Sequence, residues 1–424
     1  MLNRIFIPSL LVILFSFYLF PISFVFFPEG VNTKMIMAVF GMGTLIYDKI
    51  RERVFSIHWT IFVSALLAVV FSVWCLYAIV ENGTSDTTYS RYWISFATWL
   101  AGAYGVYFLI REMTGGCDLE KLTIYLSAVC VVQCVVALVI DSVPAFQKAV
   151  DSVVLQGQDF FRIVNRLYGI GASLDTAGVR FSVVLVLIAH QLTRNGIAML
   201  SLSKTIYYFV AFAVIVVVGS IIARTTWVGA IAGIMYMAIS NLVIKQGVIE
   251  VRQIYFWLTL LGIVLVTVGI STYLYNHNPD FRANLRFGFE GFFNWAETGV
   301  FRTDSTDKLN RIMWIWPKDT RTWIIGTGLF DNWVFGTDIG YCRFTLYCGL
   351  VGMVLFSIFF IYNGIAINYH LEHVGILSVF LIALTFIIWL KVSTDIFFIY
   401  ALLFCLDGDG QQDDVPVSCT SSTT

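Results

Sequence analysis

Three arginines stand where long apolar runs of this chain begin or turn. Arg180 follows the small-residue stretch 171–178, Arg224 lies in the break between two runs, and Arg343 is at the start of a late run. Ionisable residues at a membrane edge are costly and are therefore functional candidates. A guanidinium offers a planar fork of donors that suits phosphate. We predict that the three form an anion site; the alternative is that each snorkels to the membrane surface independently.

The break in hydrophobicity between Asn276 and Asp338 supplies further candidates, with seven Lys/Arg, eight Asp/Glu and five of the twelve tryptophans. Arg311 is expected to reach the same anion. Trp316 offers a flat face for a sugar ring, or else a place in an interfacial aromatic belt. Asp338 is predicted to stay ionised beside arginine and to act as a general base. Its alternative roles are a helix N-cap or a salt bridge with Arg343.

The composition identifies the kind of chain that must position these residues. The 424 residues are 58% hydrophobic and 12% charged, with a mean hydropathy of +0.82. Globular proteins average about 25% charged residues. Apolar runs near the roughly 20 residues needed to span a bilayer predict transmembrane helices and an all-α polytopic integral membrane protein.

The same composition argues against other classes of function. A formal net charge of -1 without a basic tract gives no indication of nucleic-acid binding. The eight cysteines form no paired C-x-x-C motifs, and the pairing of Cys342 and Cys348 stays open. No metal-ligand set can be assembled from His277 and scattered acidic residues, so neither a metal nor another cofactor is predicted.

Apolar runs separated by charge predict about twelve spans in a single transmembrane domain, 1–406. The spans are 5–27, 33–48, 57–80, 92–110, 122–140, 177–192, 205–222, 225–244, 254–275, 340–363, 373–390 and 392–406. The last pair could instead be one broken helix. The polar tail, 407–424, lacks periodicity and is predicted to be disordered.

The distribution of Lys and Arg predicts the orientation of these spans. One set of short connections holds ten such residues, and the opposite set holds only four: Lys34, Arg91, Arg224 and Lys391. Both termini are therefore expected in the cytoplasm. The two long loops, about 141–179 and 276–339, then face outward.

The first long loop contains an amphipathic stretch. Apolar residues recur at helical spacing from Phe146 to Leu167, and Arg162 and Arg166 lie on the polar face. Such a pattern is typical of a helix in the membrane interface. It would serve either as a structural cover over the helices or as a guide for a lipid substrate, which adds Arg162 and Arg166 to the candidate site.

The layout and two local segments resemble the O-antigen polymerase and O-antigen ligase superfamily. Ile221-Ile-Ala-Arg-Thr-Thr-Trp-Val-Gly229 resembles the family's span-starting Ser-Arg-Thr/Gly segment. The stretch from Asn310-Arg311 to Gly326-Thr-Gly328-Leu-Phe is similar to its Arg-to-G-x-G-x-F stretch. The resemblance covers roughly Gly169 to Phe360. Asp338 stands eleven residues before Gly349, where the ligases carry a histidine, which favours the polymerase branch.

The resemblance implies a metal-independent glycosyltransferase with a family-C-like architecture in the bacterial inner membrane. Its donor would be an oligosaccharide on undecaprenyl diphosphate, and its partners membrane lipid and a chain-length regulator protein. The arginines would hold the diphosphate, Arg224 would help catalysis, and Asp338 would activate the acceptor hydroxyl. This describes a polymerase of O-antigen or another surface polysaccharide. The alternatives are an O-antigen ligase that transfers glycan to the lipid A core and a polysaccharide transporter or flippase.

Overall fold

The computed structural model describes residues 2–53, 58–157, 160–161, 166–193, 202–244, 251–331 and 334–406. This part of the chain contains seventeen α-helices, one π-helical turn and a two-stranded sheet. The first eight helices are α1 (Leu2–Leu19), α2 (Thr33–Glu52), α3 (Trp59–Asn82), α4 (Tyr92–Thr114), α5 (Leu119–Ser142), α6 (Pro144–Val153), α7 (Leu174–Thr193) and α8 (Leu202–Ile222). The next nine are α9 (Thr226–Ile244), α10 (Val251–His277), α11 (Pro279–Gly288), α12 (Glu290–Thr298), α13 (Asp304–Lys308), α14 (Thr320–Ile325), α15 (Gly340–His370), α16 (Gly375–Trp389) and α17 (Phe397–Phe404). The π-helical turn, Leu309–Met313, follows α13.

The all-helical prediction is confirmed. Within the described residues, seven helices are long and apolar enough to cross a membrane: α3, α4, α5, α7, α8, α10 and α15. Three shorter apolar helices lie in α1, α9 and α16. Each of the twelve predicted apolar segments overlaps one helix. The fold is that of a multi-pass membrane protein.

Helix α7 lies at the centre of the helices. All of its residues from Val183 to Thr193 are buried, which is unusual even for an apolar helix. It packs against α5, α8, α9 and α16. The contact with α9 is the tightest, because an added Cβ at Gly229 would lie 2.1 Å from the Cα of Ser182. Helix α7 therefore positions the start of α9.

Helix α15 is broken where the sequence predicts a continuous span. Gly349 has φ 65° and ψ -178°, which divides the helix into 340–348 and 350–370. The carbonyl groups left without helical partners find others: Leu346 accepts from the amide of Thr327, Tyr347 from that of Gly328, and Cys348 from the indole of Trp74. In a membrane such a break is tolerated only when protein satisfies the freed groups.

Two predicted elements end earlier than expected. The first apolar run continues to Phe27, but α1 ends at Leu19, because the residue before Pro21 is disfavoured in the helical region. The chain then forms strand β1, Ser23–Phe24, which pairs antiparallel with β2, Val154–Leu155. That strand also ends α6, so the predicted helical spacing is interrupted after Val153; residues 160–161 are again helical, and 162–165 lie outside the described residues.

The last predicted span is the shortest. Helix α17 has eight residues, all buried, and rises only about 12 Å against a bilayer core of about 30 Å. The connection 390–396 before it is non-helical. Two separate helices, α16 and α17, therefore lie where the last two spans are predicted. The seven described cysteines, Cys342 and Cys348 among them, are free thiols.

Close packing of α2 on α4 generates a stability prediction. An added Cβ at Gly41 would lie 1.8 Å from the carbonyl oxygen of Ala101, whereas one at Gly43 would meet nothing within 4 Å. Overpacking of this kind costs about 1–3 kcal/mol. We expect Gly41→Ala to lower the free energy of unfolding in detergent by that amount and Gly43→Ala to leave it unchanged or slightly raised. Equal stability of the two variants would contradict the close approach.

Candidate functional site

The turn that carries Arg224 is fixed by a small-residue contact. The hydroxyl of Ser182 in α7 donates to the carbonyl of Thr225 at 3.0 Å and accepts from the amide of Gly229 at 3.1 Å. Gly178, one turn earlier in α7, leaves room for Ala223 and Thr225. The turn 223–225 is therefore held against the start of α7.

Arg224 and Arg166 meet on one aromatic ring. The Arg224 guanidinium lies 4.2 Å from the ring centroid of Phe287, and the Arg166 guanidinium lies 5.1 Å from the same centroid. Arg224 also forms an ion pair with Glu290 at the start of α12. Burial lowers the pKa of Arg224 and Glu290 opposes this, so the group stays cationic at physiological pH. The two long loops thus contribute to one cationic site with the turn 223–225.

A second polar contact adjoins the first. Lys391 donates to a carboxylate oxygen of Asp175 at 3.1 Å and lies 3.0 Å from the hydroxyl oxygen of Thr225. Thr225 also donates to Asp175. Because Thr225 follows Arg224 directly, this cluster ties the cationic turn to α7 and to the connection 390–396.

Asp338 lies beside that cluster, half-buried. Burial raises the pKa of its carboxyl group and the nearby Asp175 adds to this, while Arg343, Lys308 and Lys391 oppose both. Burial therefore outweighs the neighbouring cations in setting the pKa of Asp338, and its role as an ionised general base stays a prediction. Ile339, not Asp338, is the N-cap residue of α15. A carboxylate with a raised pKa beside cations can accept a proton from a hydroxyl group.

Arg343 is held by neutral groups. It donates to the Phe330 carbonyl at 2.8 and 3.3 Å and to the Ser393 hydroxyl at 3.1 Å, and it stacks 4.0 Å from the Phe330 ring centroid. None of these contacts is an ion pair with Asp338. These contacts therefore do not neutralise the positive charge of Arg343.

Arg180 lies deeper in the protein. It donates to the Thr176 carbonyl at 2.9 Å and lies 5.8 Å from each of the ring centroids of Phe20 and Phe398. Its buried Nε has no hydrogen-bond partner among the described residues. The charges of Asp395 and Lys34 lie within electrostatic reach. All three side chains are partly exposed.

The connection 390–396 is the element that sequence reasoning missed. Lys391 contacts Asp175, Ser393 contacts Arg343, and Asp395 faces Arg180. Asp395 falls inside the predicted span 392–406, where an ionisable residue is itself a functional signal. The sequence therefore already indicated Asp395 as a functional candidate.

The remaining predicted residues lie apart from this cluster. Arg311 is exposed in the π-helical turn, and within the described residues no hydrogen bond or ring contact joins it to the other arginines. Trp316, 38% exposed, stacks 5.5 Å from Trp323 beside Trp314. Arg162 lies outside the described residues.

An apolar groove of about 790 Å³ opens beside the Arg224 site. Helices α8, α9 and α10 form its walls, and α11 and α12 close one end with Leu285 and Phe289. Phe289 directly precedes Glu290, and Trp227, which also lines the groove, lies three residues after Arg224, so the cationic site adjoins the groove at that end. The volume is within the roughly 300–1,000 Å³ of ligand pockets, and the lining suits an acyl or isoprenoid chain.

In the part of the chain that the structure describes, no group of three or more His, Cys, Asp or Glu side chains is placed to hold a metal ion. Comparison of the chain with models of known protein families, with curated proteins and with solved structures found no match.

The raised pKa of Asp338 predicts a pH-dependent change in stability. Folding that raises the pKa of a carboxyl group favours its protonated form, so the ionised group destabilises the fold above the folded-state pKa. We expect Asp338→Asn to be more stable than the native protein at pH 7, with the difference disappearing as the pH falls below about 4. Thermal unfolding in detergent across this range measures it.

Asp319 provides a control of opposite sign. Hydrogen bonds from the amide and hydroxyl of Thr322 lower its pKa, so its carboxylate stabilises the fold above the unfolded-state pKa. Asp319→Asn should therefore be less stable than the native protein at pH 7, with a smaller difference in acid. A loss of stability at pH 7 in both variants would contradict the assignment for Asp338.

Proposed function

We propose that this protein is a polysaccharide polymerase, a glycosyltransferase embedded in the bacterial inner membrane. It would transfer a growing glycan from undecaprenyl diphosphate to the next lipid-linked repeat unit. The observation that carries the proposal is the apolar groove with Arg224 and Arg166 at one end. An apolar channel that ends in paired guanidiniums matches a lipid whose head group is a diphosphate.

The topology proposed for this function has all twelve predicted segments crossing the membrane, with both termini in the cytoplasm. The excess of Lys and Arg in one set of connections supports it. The Arg224 site and the long loops would then face the periplasm. A lipid-linked glycan would present its sugars there, while its isoprenoid chain stays in the groove.

The reaction would use the cations around the turn 223–225. Arg224 and Arg166 would bind the diphosphate and stabilise the charge that grows as it leaves, which is commonly the largest catalytic contribution. Asp338, which interacts electrostatically with Lys391, would take the proton of the acceptor hydroxyl as it attacks the anomeric carbon. This arrangement does not require a metal, because guanidiniums neutralise the leaving group.

A transporter of polysaccharide is the second candidate, and one observation favours it. Arg180, Lys34 and Asp395 interact electrostatically beside the non-helical connection 390–396, and charged side chains beside interrupted helices are common at transport sites. Purified protein incubated with a lipid-linked glycan, without an ion gradient, separates the two. Longer glycans on the lipid support the enzyme; an unchanged donor supports the transporter.

The function predicts a specific glycan phenotype. We expect Arg224→Ala to abolish polymer in cells and to leave single repeat units on the lipid, because the diphosphate loses its main cation. Arg302→Ala is the matched control, since this exposed arginine of the same loop forms its ion pair locally, with Asp307, among the described residues. Electrophoresis of the glycans measures both. Long unligated chains after deletion of the protein would point to a ligase, and wild-type chains in Arg224→Ala would refute the assignment.

The groove predicts an effect on lipid binding. Thr267 lines the groove, whereas Val266, its neighbour in α10, is 62% exposed and is not part of the lining. We expect Thr267→Trp to raise the KM for a long-chain polyprenyl donor about tenfold, because the added ring occupies space for the chain. A two-isoprene donor should be affected less, and Val266→Trp should change neither value. Equal effects of the two substitutions would exclude the groove as the lipid site.

A further inference from the structure

The carboxylate of Glu290 already forms an ion pair with Arg224, the cation that the diphosphate of the substrate would need. Glu290 forms its ion pair with Arg224, and the two side chains are only 18% and 15% exposed. Its other oxygen accepts a hydrogen bond of 2.8 Å from the amide of Asp304. Glu290 is therefore fixed through both oxygens.

The same helix reaches the groove. Glu290 is the first residue of α12, and Phe292, Phe293 and Ala296 of that helix line the apolar groove. A ligand that enters the groove with an anionic head group thus meets Glu290 at Arg224. The head group would therefore compete with the Glu290 carboxylate for Arg224 while the apolar chain lies in the groove.

We propose that Glu290 is a specificity-determining residue that makes the groove select lipid diphosphates over ordinary phospholipids. The proposal rests on the proposed function. Glu290 would reject the ordinary phospholipids that surround the protein in large excess. Rejection of competitors by an opposing interaction is a general route to specificity.

The charges explain the discrimination. The phosphodiester of a phospholipid carries a single negative charge, so it only replaces the carboxylate at Arg224. The displaced Glu290 then loses its partner in a poorly hydrated place, which is costly. A diphosphate carries more negative charge and more acceptor oxygens. It can engage Arg224 and also Arg166, which stacks on the same Phe287 ring, and so offset that cost.

The experiment compares two glutamates of α12. Glu290→Gln keeps an oxygen for the Asp304 amide but removes the competing charge. Glu297→Gln is the matched control, because Glu297 also pairs with an arginine, Arg286, at 2.7 Å, but both side chains are about half exposed. Competition between farnesyl diphosphate and dioleoyl phosphatidylglycerol for the full-length protein in detergent gives the selectivity of each variant.

We expect Glu290→Gln to bind phosphatidylglycerol more tightly and to lower the selectivity for the diphosphate about tenfold, with Glu297→Gln unchanged. Glu290→Asp, which retains the charge, should stay selective and shows whether any loss is merely structural. Unchanged selectivity in Glu290→Gln overturns the proposal while leaving the proposed function intact. A native protein without any preference for the diphosphate contradicts both, and the glycan phenotype of Arg224→Ala then tests the function separately.

Discussion

The structure depends on one constraint: within a membrane, every backbone polar group and every charge needs a partner inside the protein. The long helices satisfy this constraint with the backbone hydrogen bonds inside each helix. The break at Gly349 satisfies it with amides of a neighbouring loop and the indole of Trp74. The arginines satisfy it with carbonyls, aromatic rings and single carboxylates. The break at Gly349 is therefore matched by specific compensating contacts.

The same constraint explains why the connection 390–396 brings the polar side chains together. A non-helical segment beside an eight-residue buried helix exposes amides and carbonyls that must be met by protein or by water in a recess. Its side chains contact Asp175, Arg343 and the surroundings of Arg180. One short segment thus links three charged positions that lie far apart in sequence.

The proposed chemistry uses the cations that this arrangement leaves available. Arg224 has a single carboxylate partner, Glu290, whereas Arg343 is hydrogen-bonded to neutral groups and feels the charges of nearby carboxylates such as Asp338. Asp338 is destabilised when ionised, because burial outweighs its cationic neighbours Arg343, Lys308 and Lys391. Ionisable groups whose charged form is perturbed in this way are typical of sites that exchange ligands or protons.

The sequence by itself determined the helical class, the twelve apolar segments and the identity of Arg224 as the residue at a tight turn. Hydrophobicity and charge are properties of local composition, so they can be read without contacts. Tertiary structure decided that Arg166 joins Arg224, that Trp316 stacks elsewhere, and that Asp395 lies within electrostatic reach of Arg180. It also decided the break at Gly349 and the pairing of Glu290 with Arg224. Those features depend on which helices pack together, and sequence spacing does not specify the partners of a side chain across the fold.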